Sequence, residues 1–535
     1  MQPLLNKLSW ASRVGDIARV ENGTFRPQLY GVSSMKLSRG RRILATAAVP
    51  IALFVSLVAW GFSSPVGSSP DDDYHLASIW CGAGIREGLC EAGDAPNERR
   101  VPATLLESSS CYAFDANQSA SCPQKPTSVL VNSSRGNFEA SYPPVFYGTL
   151  SIFAGPDVVT SVLVMRGFNA LLFVGVSTAL FFALPRGGRG PLLLAGLATV
   201  VPLGMFLIPS VNPSSWAVTS ALTLWVSLLA FFNTDERKKK VVFGVIATAM
   251  TVAAAGARSD AAVYSLLAVG VTIIIAARKS WRRDWLRMAI VPTALIAIAA
   301  GFFLTSGQSA VLSPETGSDV PRTIGAVVQS TVTNAIKLPE LWVGVFGTWG
   351  LGWLDTILPG SVWVTMLITF AGLLVWGFQK INQRKAIALA IVFAALVAVP
   401  LYVLVKDNLS VGSAVQPRYV YPLIIMLIGI ALVGFASDHL GLNRVQLACL
   451  SVLVVAANTV ALHYNIRRYV TGIDGQGANL DAEVEWWWDL AVSPMGMWVI
   501  GSGAFAVAIA GLYGYLSTGS RIAHEFAENR SELAR

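Results

Sequence analysis

The chain has 535 residues, of which 54% are hydrophobic and 13% are charged. This composition excludes a soluble globular domain of this size and predicts a protein that crosses a membrane several times. The net charge is +8, but the Lys and Arg residues fall in short clusters between apolar runs, as is typical of cytoplasmic loops. Binding to nucleic acid is therefore not expected.

The first 42 residues form a segment of polar and basic character, and the apolar run Ile43 to Phe62 follows. No convincing signal-peptide cleavage site closes this run, so we interpret it as an uncleaved first span with a cytoplasmic N-terminus. Further apolar runs, each near the roughly 20 residues that a bilayer requires, raise the prediction to about twelve spans. They cover residues 159–184, 191–208, 214–232, 241–257, 260–277, 288–305, 361–378, 386–405, 418–436, 445–464 and 495–517.

Two signals agree on the orientation of these spans. The basic clusters, such as Arg237 to Lys240, fall on the side of the N-terminus. On the other side, the polar loop 63–142 carries four of the five cysteines, Cys81, Cys90, Cys111 and Cys122. Clustered cysteines predict two disulfides in an oxidising compartment, with three possible connectivities, and leave Cys449 free.

We therefore predict an all-α, multi-pass protein of the plasma (inner) membrane. Its tails, 1–42 and 518–535, lie in the cytoplasm, and 43–517 form one transmembrane domain. The segments 63–142, 306–360 and 465–494 are the predicted outer loops, so the active face is extracytoplasmic.

Three adjacent acids, Asp71, Asp72 and Asp73, come almost directly after the first span. Neighbouring carboxylates repel each other unless a cation or a hydrogen-bond donor compensates for their charge. A solvated loop or a helix N-terminus is the plainer interpretation, and we assign it to Asp73. Asp71 and Asp72 are predicted to be catalytic, and together they are the predicted ligands of a divalent cation, Mg or Mn.

Other unusual residues gather on the predicted outer face. Outer arginines run against the positive-inside bias, so some of them are expected to face an anion, although snorkelling or pairing with acids would also explain them. Tryptophans there either belt the interface or shape a binding loop. The predicted substrate-binding residues are His75, Arg166, Asn212, Arg258, Trp349, Trp353, Asp355, Gln416, Arg418, Tyr419, Arg467 and Arg468.

This pattern resembles the GT-C superfamily of membrane glycosyltransferases, in which an acidic pair follows the first span. It is more similar still to an actinobacterial family of membrane proteins labelled only as a domain of unknown function. The matching elements are Pro70, Asp71, Asp72 and His75; Asn212 and Pro213; Gly352 to Thr356; and Gln416, Arg418 and Tyr419. Pro417 stands where that family has Gly.

The resemblance implies an inverting transfer of a sugar from a polyprenyl-phosphate carrier to a cell-envelope glycan acceptor. A carboxylate would take the acceptor's proton, and guanidinium groups would stabilise the leaving phosphate. The expected partners are thus the lipid-linked donor, the glycan acceptor and the bilayer. Two alternatives stay open, a transporter or flippase of a lipid-linked saccharide and a non-catalytic scaffold for cell-wall assembly.

Overall fold

The computed structural model describes residues 39–123, 128–277, 281–307, 323–413, 415–437 and 440–533. Two compact units are distinguished, Met1–Leu44 and Ala45–Arg535. The predicted N-terminal tail lies outside the described residues apart from its last few positions. The side chains discussed below belong to the second unit.

The first helix, α1 (Arg39–Phe62), leads into the cysteine-rich loop. This loop contains short elements: α2 (Asp72–Trp80), β1 (Glu91–Ala92), β2 (Arg99–Pro102), α3 (Ala103–Glu107), β3 (Leu130–Ser133) and α4 (Val145–Leu150). The strands form one antiparallel sheet in the order β1-β2-β3. Two disulfides, Cys81–Cys90 and Cys111–Cys122, brace the loop, which confirms the predicted bridges and resolves their connectivity. Cys449 is free.

The remaining chain is helical. Its helices are α5 (Val158–Ala183), α6 (Arg186–Thr199), α7 (Met205–Leu207), α8 (Ser214–Asn233), α9 (Arg237–Ala255), α10 (Ser259–Ala276), α11 (Trp281–Thr305), α12 (Ile324–Val343), α13 (Gly360–Gly377), α14 (Gln383–Lys406), α15 (Pro417–Ala431), α16 (Arg444–Val470) and α17 (Pro494–Leu533). A π-helical turn, Val200–Gly204, joins α6 to α7. The predicted all-α, polytopic class is therefore confirmed.

Within the described ranges, nine helical segments are long and apolar enough to cross a membrane. The sequence predicted about twelve spans, and the difference has identifiable causes. The apolar parts of α1 and α15, Ala47–Phe62 and Pro417–Ala431, are short. Helix α9 begins with four consecutive basic residues, which lower its hydropathy.

Helix α12 lies inside the segment 306–360, which the sequence predicted only as an outer loop. Its apolar residues are interrupted by Lys337, Pro339 and Glu340, so no continuous run signalled a helix. Its apolar residues recur every four positions instead, at Ile324 and Val328 for example, as on one face of a helix. Residues 308–322 of the same segment lie outside the described residues.

Helix α8 is the central helix of the bundle. It is buried along almost its whole length and packs against α9, α10 and α15. By contrast, α11, α13 and α17 leave large apolar side chains exposed, among them Ile290, Ile368 and Val507. Side chains of this kind can face lipid without the cost of meeting water. The polar residues discussed next therefore lie at helix ends around a buried apolar bundle.

Candidate functional site

The loop after α1 is held in place by a buried arginine. Arg166, on α5, donates hydrogen bonds to the carbonyl oxygens of Gly61 at 2.7 Å, Ser64 at 2.6 Å and Pro65 at 2.6 Å. A buried guanidinium needs such partners, and the last carbonyls of a helix lack partners within the helix. Arg166 therefore fixes the segment that leads to the acids.

The carbonyl oxygen of Pro70 is held from two sides. Asn212 donates its Nδ2–H to this oxygen at 2.8 Å, and Nη1 of Arg418 approaches the same oxygen at 3.3 Å. Asn212 is itself fixed, because its Oδ1 accepts a hydrogen bond from the backbone of Ser214 at 2.9 Å. Residues distant in sequence thus set the position of the backbone just before the first acid.

Asp71 precedes α2 with φ 60° and ψ 23°, in the left-handed region. Few residues other than glycine adopt this conformation, and Asp is one that does. The turn separates two neighbouring carboxylates. The Asp72 side chain is buried and accepts hydrogen bonds from the backbone and the hydroxyl of Ser69, whereas the Asp71 side chain is 39% exposed.

The two carboxyl groups also differ in acidity. Burial raises the pKa of Asp72 to about 6, although the hydrogen bonds from Ser69 act in the opposite direction. Burial acts to raise the pKa of Asp71 too, but the positive charges of Arg418 and Arg135 outweigh it, and this pKa lies below its usual value. Asp71 is therefore the more acidic and the more accessible carboxyl group of the pair.

Two buried guanidinium groups lie on the ring of Tyr419. Cζ of Arg418 is 5.0 Å and Cζ of Arg258 is 4.7 Å from the ring centroid. Arg418 donates to Asp71 at 2.6 Å, and Arg258 forms a two-pronged ion pair with Asp260 at 2.9 and 2.8 Å. Cations over an aromatic face are attracted to it. Tyr419 thus links the acid that follows α1 to the arginine that precedes α10.

Aromatic rings surround His75 in the same region. Its Nδ1 lies 2.9 Å from the hydroxyl oxygen of Tyr147, and its ring meets that of Tyr142 edge-on at 5.5 Å. Burial lowers the pKa of His75 to about 3, so the ring is neutral near pH 7. His75 therefore acts as a neutral hydrogen-bonding group and not as a cation.

A third arginine reaches the acids from the cysteine-rich loop. Nε of Arg135 donates to Asp73 at 2.7 Å, and Nη2 lies 3.5 Å from Asp71. Its guanidinium also lies over the ring of Tyr74, 5.6 Å from the centroid. The side chain is about half exposed, at 49%. Arg135 thus covers the side of Asp71 that Arg418 leaves open.

A cavity of about 520 Å³ opens beside these residues. The polar residues of its lining include Tyr142, Arg258, Asp260 and Tyr419, and also Ser259, Tyr402 and Asp407. The rest of the wall is mostly apolar and includes Val263, Phe303, Val399, Val403 and Val420. A mostly apolar cavity with a few polar groups suits a ligand that carries a polar head on a hydrocarbon chain.

Several predicted site residues form a separate, structural group. Nη2 of Arg468 donates to Asp355 at 2.7 Å and to the carbonyl of Tyr112 at 2.6 Å, and both charged side chains are buried. Nε1 of Trp353 donates to the carbonyl oxygen of Gly67 at 2.8 Å. These contacts tie three loops together behind the segment that Arg166 holds.

The other predicted residues are likewise not among the described residues that line the cavity. Arg467 donates to the carbonyl oxygens of Gly477 at 2.7 Å and Asn479 at 3.1 Å. Trp349 packs against the apolar core. Gln416 lines a smaller cavity beside Pro70 and Arg418.

The residues present do not fit the predicted divalent cation. Both oxygens of Asp72 accept hydrogen bonds from Ser69, and those of Asp71 face Arg418 and Arg135. The described residues contain no group of three His, Cys, Asp or Glu side chains able to hold a metal ion. A cation would also meet the charges of two guanidinium groups at this point. We therefore derive no step through a metal.

Residues 53–428 match the profile of a family described as "Predicted membrane protein (DUF2142)". The chain belongs to this DUF2142 family. The matched range contains the acids, the cavity and both arginines on Tyr419. No curated protein matches the DUF2142 chain.

One solved structure is similar to the DUF2142 chain. It is the crystal structure of ArnT from Cupriavidus metallidurans bound to undecaprenyl phosphate. The similarity covers 90% of this chain and 77% of that chain, at 14% sequence identity and a TM-score of 0.39.

The sequence missed four residues of this site. Tyr142 and Asp260 lie in segments that stood out by composition, Tyr142-Pro143-Pro144 and Arg258-Ser259-Asp260, and could have been included. Tyr147 lies five positions after Tyr142 and has no sequence feature of its own that marks it as a site residue. Arg135 gave no signal either, because a single arginine in a long polar loop is ordinary.

Proposed function

We propose that this protein transfers a sugar from a polyprenyl-phosphate carrier to a glycan acceptor. One observation carries the proposal. An apolar cavity ends at Arg258 and Tyr419, and the same tyrosine ring contacts Arg418, which holds the accessible carboxylate of Asp71. The proposed site for the lipid chain thus adjoins the proposed anion-binding arginine and the proposed base.

In this mechanism, the hydrocarbon chain of the donor occupies the apolar part of the cavity. Its phosphate lies against Arg258, and Arg418 is the second cation near the reacting bond. The Asp71 carboxylate removes the proton of the acceptor hydroxyl. The hydroxyl oxygen then bonds to the anomeric carbon, and the bond from that carbon to the phosphate oxygen breaks. The phosphate leaves with the electron pair, stabilised by the guanidinium groups.

The roles of the remaining predicted residues follow from their contacts. We propose that Asp72, Arg166 and Asn212 position the acid-bearing loop, while His75 holds Tyr147 and Tyr142 at the polar end of the cavity. Trp353, Asp355, Arg467 and Arg468 are proposed to stabilise the outer loops.

A reconstituted transfer assay tests the proposal. The purified full-length protein would be given a polyprenyl-phosphate sugar and a glycan acceptor in proteoliposomes. The expected result is a new glycosidic bond on the acceptor. Movement of the lipid-linked sugar between leaflets without transfer would overturn the proposal in favour of a flippase, and neither event would favour a scaffold.

Arg418→Lys should reduce transfer by about 10- to 100-fold. Lys keeps the positive charge but lacks the planar guanidinium group. In Arg418 this group donates to the Asp71 carboxylate, the Tyr419 hydroxyl and the Pro70 carbonyl oxygen at once. A steady-state comparison with Arg100→Lys, a change in an exposed pair with Glu91, gives the control. Wild-type rates for Arg418→Lys would remove this residue from the reaction.

The rate of transfer should not fall between about pH 8 and pH 5. A base works only when ionised, and the lowered pKa of Asp71 keeps it ionised over this range. His75 has its pKa lowered to about 3, so it adds no change of charge there. A pH profile of the transfer rate measures this directly. A fall centred near pH 6 would instead indicate Asp72, whose pKa is about 6.

The predicted orientation stays a proposal that labelling can test. In a Cys449→Ala background, Glu87→Cys and Gln476→Cys should react with a membrane-impermeant thiol reagent in intact cells, because their segments carry no dense basic clusters. Lys238→Cys should react only after permeabilisation. The reverse pattern would place the acids in the cytoplasm.

A further inference from the structure

A second large cavity, of about 440 Å³, lies far from the acids. Helices α8 and α9 connect the two regions. The C-terminal ends of α5 and α8 and the first turn of α9 contribute to this cavity, whereas the opposite ends of α8 and α9 reach Ser214 and Arg258. Twenty helical residues span roughly 30 Å. The cavity is therefore at the other end of the bundle.

The cavity combines apolar walls with a basic rim. Phe182, Leu184 and Phe243 are among its apolar residues, and Phe182 is 52% exposed. Arg186, Arg189 and Lys239 also line it. No acidic side chain is among the described residues of the lining. A ligand of this site must offer both negative charge and hydrocarbon.

The charges around the cavity are strongly unbalanced. Arg237, Lys238 and Lys240 flank Lys239, while the acids of the same segment are Asp235 and Glu236. Glu236 pairs with Lys239 at 2.6 Å, but both side chains are more than half exposed, so this pair contributes little. The region therefore keeps a net positive charge that attracts anions.

Arg189 is already oriented by the protein. Its Nε donates to the carbonyl oxygen of Leu184 at 2.9 Å, and Nη1 donates to the hydroxyl of Tyr515 at 3.2 Å. Its guanidinium also lies 4.8 Å from the ring centroid of Phe181. Holding one cation in place before a ligand arrives lowers the entropy that binding would otherwise lose.

We propose that this cavity binds an anionic phospholipid of the membrane. The phosphate of the head group contacts Arg186, Arg189 and Lys239, and an acyl chain lies along Phe182 and Phe243. A basic pocket between membrane helices on the side of the positive clusters suits an anionic head group. The apolar walls favour a lipid over a free phosphate, which has no chain to bury. This inference does not rest on the proposed transfer activity.

A lipid titration of the full-length protein in detergent tests the inference. The dissociation constant for phosphatidylglycerol would be obtained from the rise in unfolding temperature. Two double variants remove equal charge, Arg186→Gln with Lys239→Gln inside the cavity and Arg237→Gln with Lys238→Gln beside it. We expect binding to weaken roughly 30-fold in the cavity variant and no more than about threefold in the flanking variant.

Three outcomes would contradict the proposed lipid site. Equal weakening in both double variants would overturn the inference, because it would indicate a diffuse surface charge. Equal binding of phosphatidylcholine with the same acyl chains would overturn it as well. Inorganic phosphate that raises the unfolding temperature as much as phosphatidylglycerol does would identify a site for a soluble anion instead. The unfolding temperatures without lipid confirm that all variants are folded.

Discussion

Asp71→Asn should lower the rate of sugar transfer by about 10²–10⁴-fold while the protein stays folded. The amide has the size of the carboxylate and keeps an oxygen that accepts from Arg418, but it does not take a proton. Asn also tolerates the left-handed backbone that this position requires. Single-turnover transfer, measured with the enzyme in excess over the donor, reports this loss without the contribution of product release.

Asp73→Asn is the matched control for this variant. Asp73 lies two residues away, carries the same formal charge and also pairs with Arg135, whereas Arg418 donates to Asp71. We expect its rate to stay within about threefold of wild type, since it loses only a partly exposed pair with Arg135. Wild-type transfer by a folded Asp71→Asn protein would contradict the mechanism. Equal losses in both variants would point to the charge of the loop and not to a base.

Arg468→Met should destabilise the protein by about 3–5 kcal/mol, because it leaves the buried Asp355 carboxylate without its partner. The side chains of Arg468 and Asp355 are 0% and 3% exposed. Arg468 also donates to two backbone carbonyls, of Tyr112 and Gln118, which would lose their donors. Unfolding in mixed micelles of increasing sodium dodecyl sulfate measures the change in free energy.

Two controls separate this effect from a general loss of charge. Arg100→Met breaks the surface pair of Arg100 with Glu91, in which the two side chains are 48% and 31% exposed. It should lower the free energy of unfolding by no more than about 1 kcal/mol. Arg468→Met combined with Asp355→Leu should recover part of the stability, because no lone charge is left buried. If Arg468→Met were fully stable and weakened only the binding of substrate, a role in the site would replace the structural one.

The acid triplet shows what a local pattern can predict. Its position after an apolar run sufficed to select Asp71 and Asp72 as unusual, because three adjacent carboxylates are costly without compensation. It ranked Asp71, the first acid after the span, ahead of Asp72 as the catalytic base, but it did not show how their surroundings differ. The distinction arises from the left-handed turn at Asp71, which places the Asp72 carboxylate against Ser69 and the Asp71 carboxylate against Arg418. Arg418 is 347 positions away in the sequence, so no window around the acids contains it.

The sequence by itself determined the class of the protein and the chemistry available to it. Apolar runs, basic clusters and grouped cysteines are local features, and the polytopic helical class and the two disulfides follow from them. Only the tertiary structure decided which arginines meet beside the cavity and which support the loops. Arg258 and Arg418 meet at Tyr419, while Arg166 and Arg468 bind carbonyls and a buried acid. The physical reason is that a guanidinium satisfies its donors equally well with a phosphate, a carboxylate or helix-end carbonyls, and packing alone determines which of these it meets.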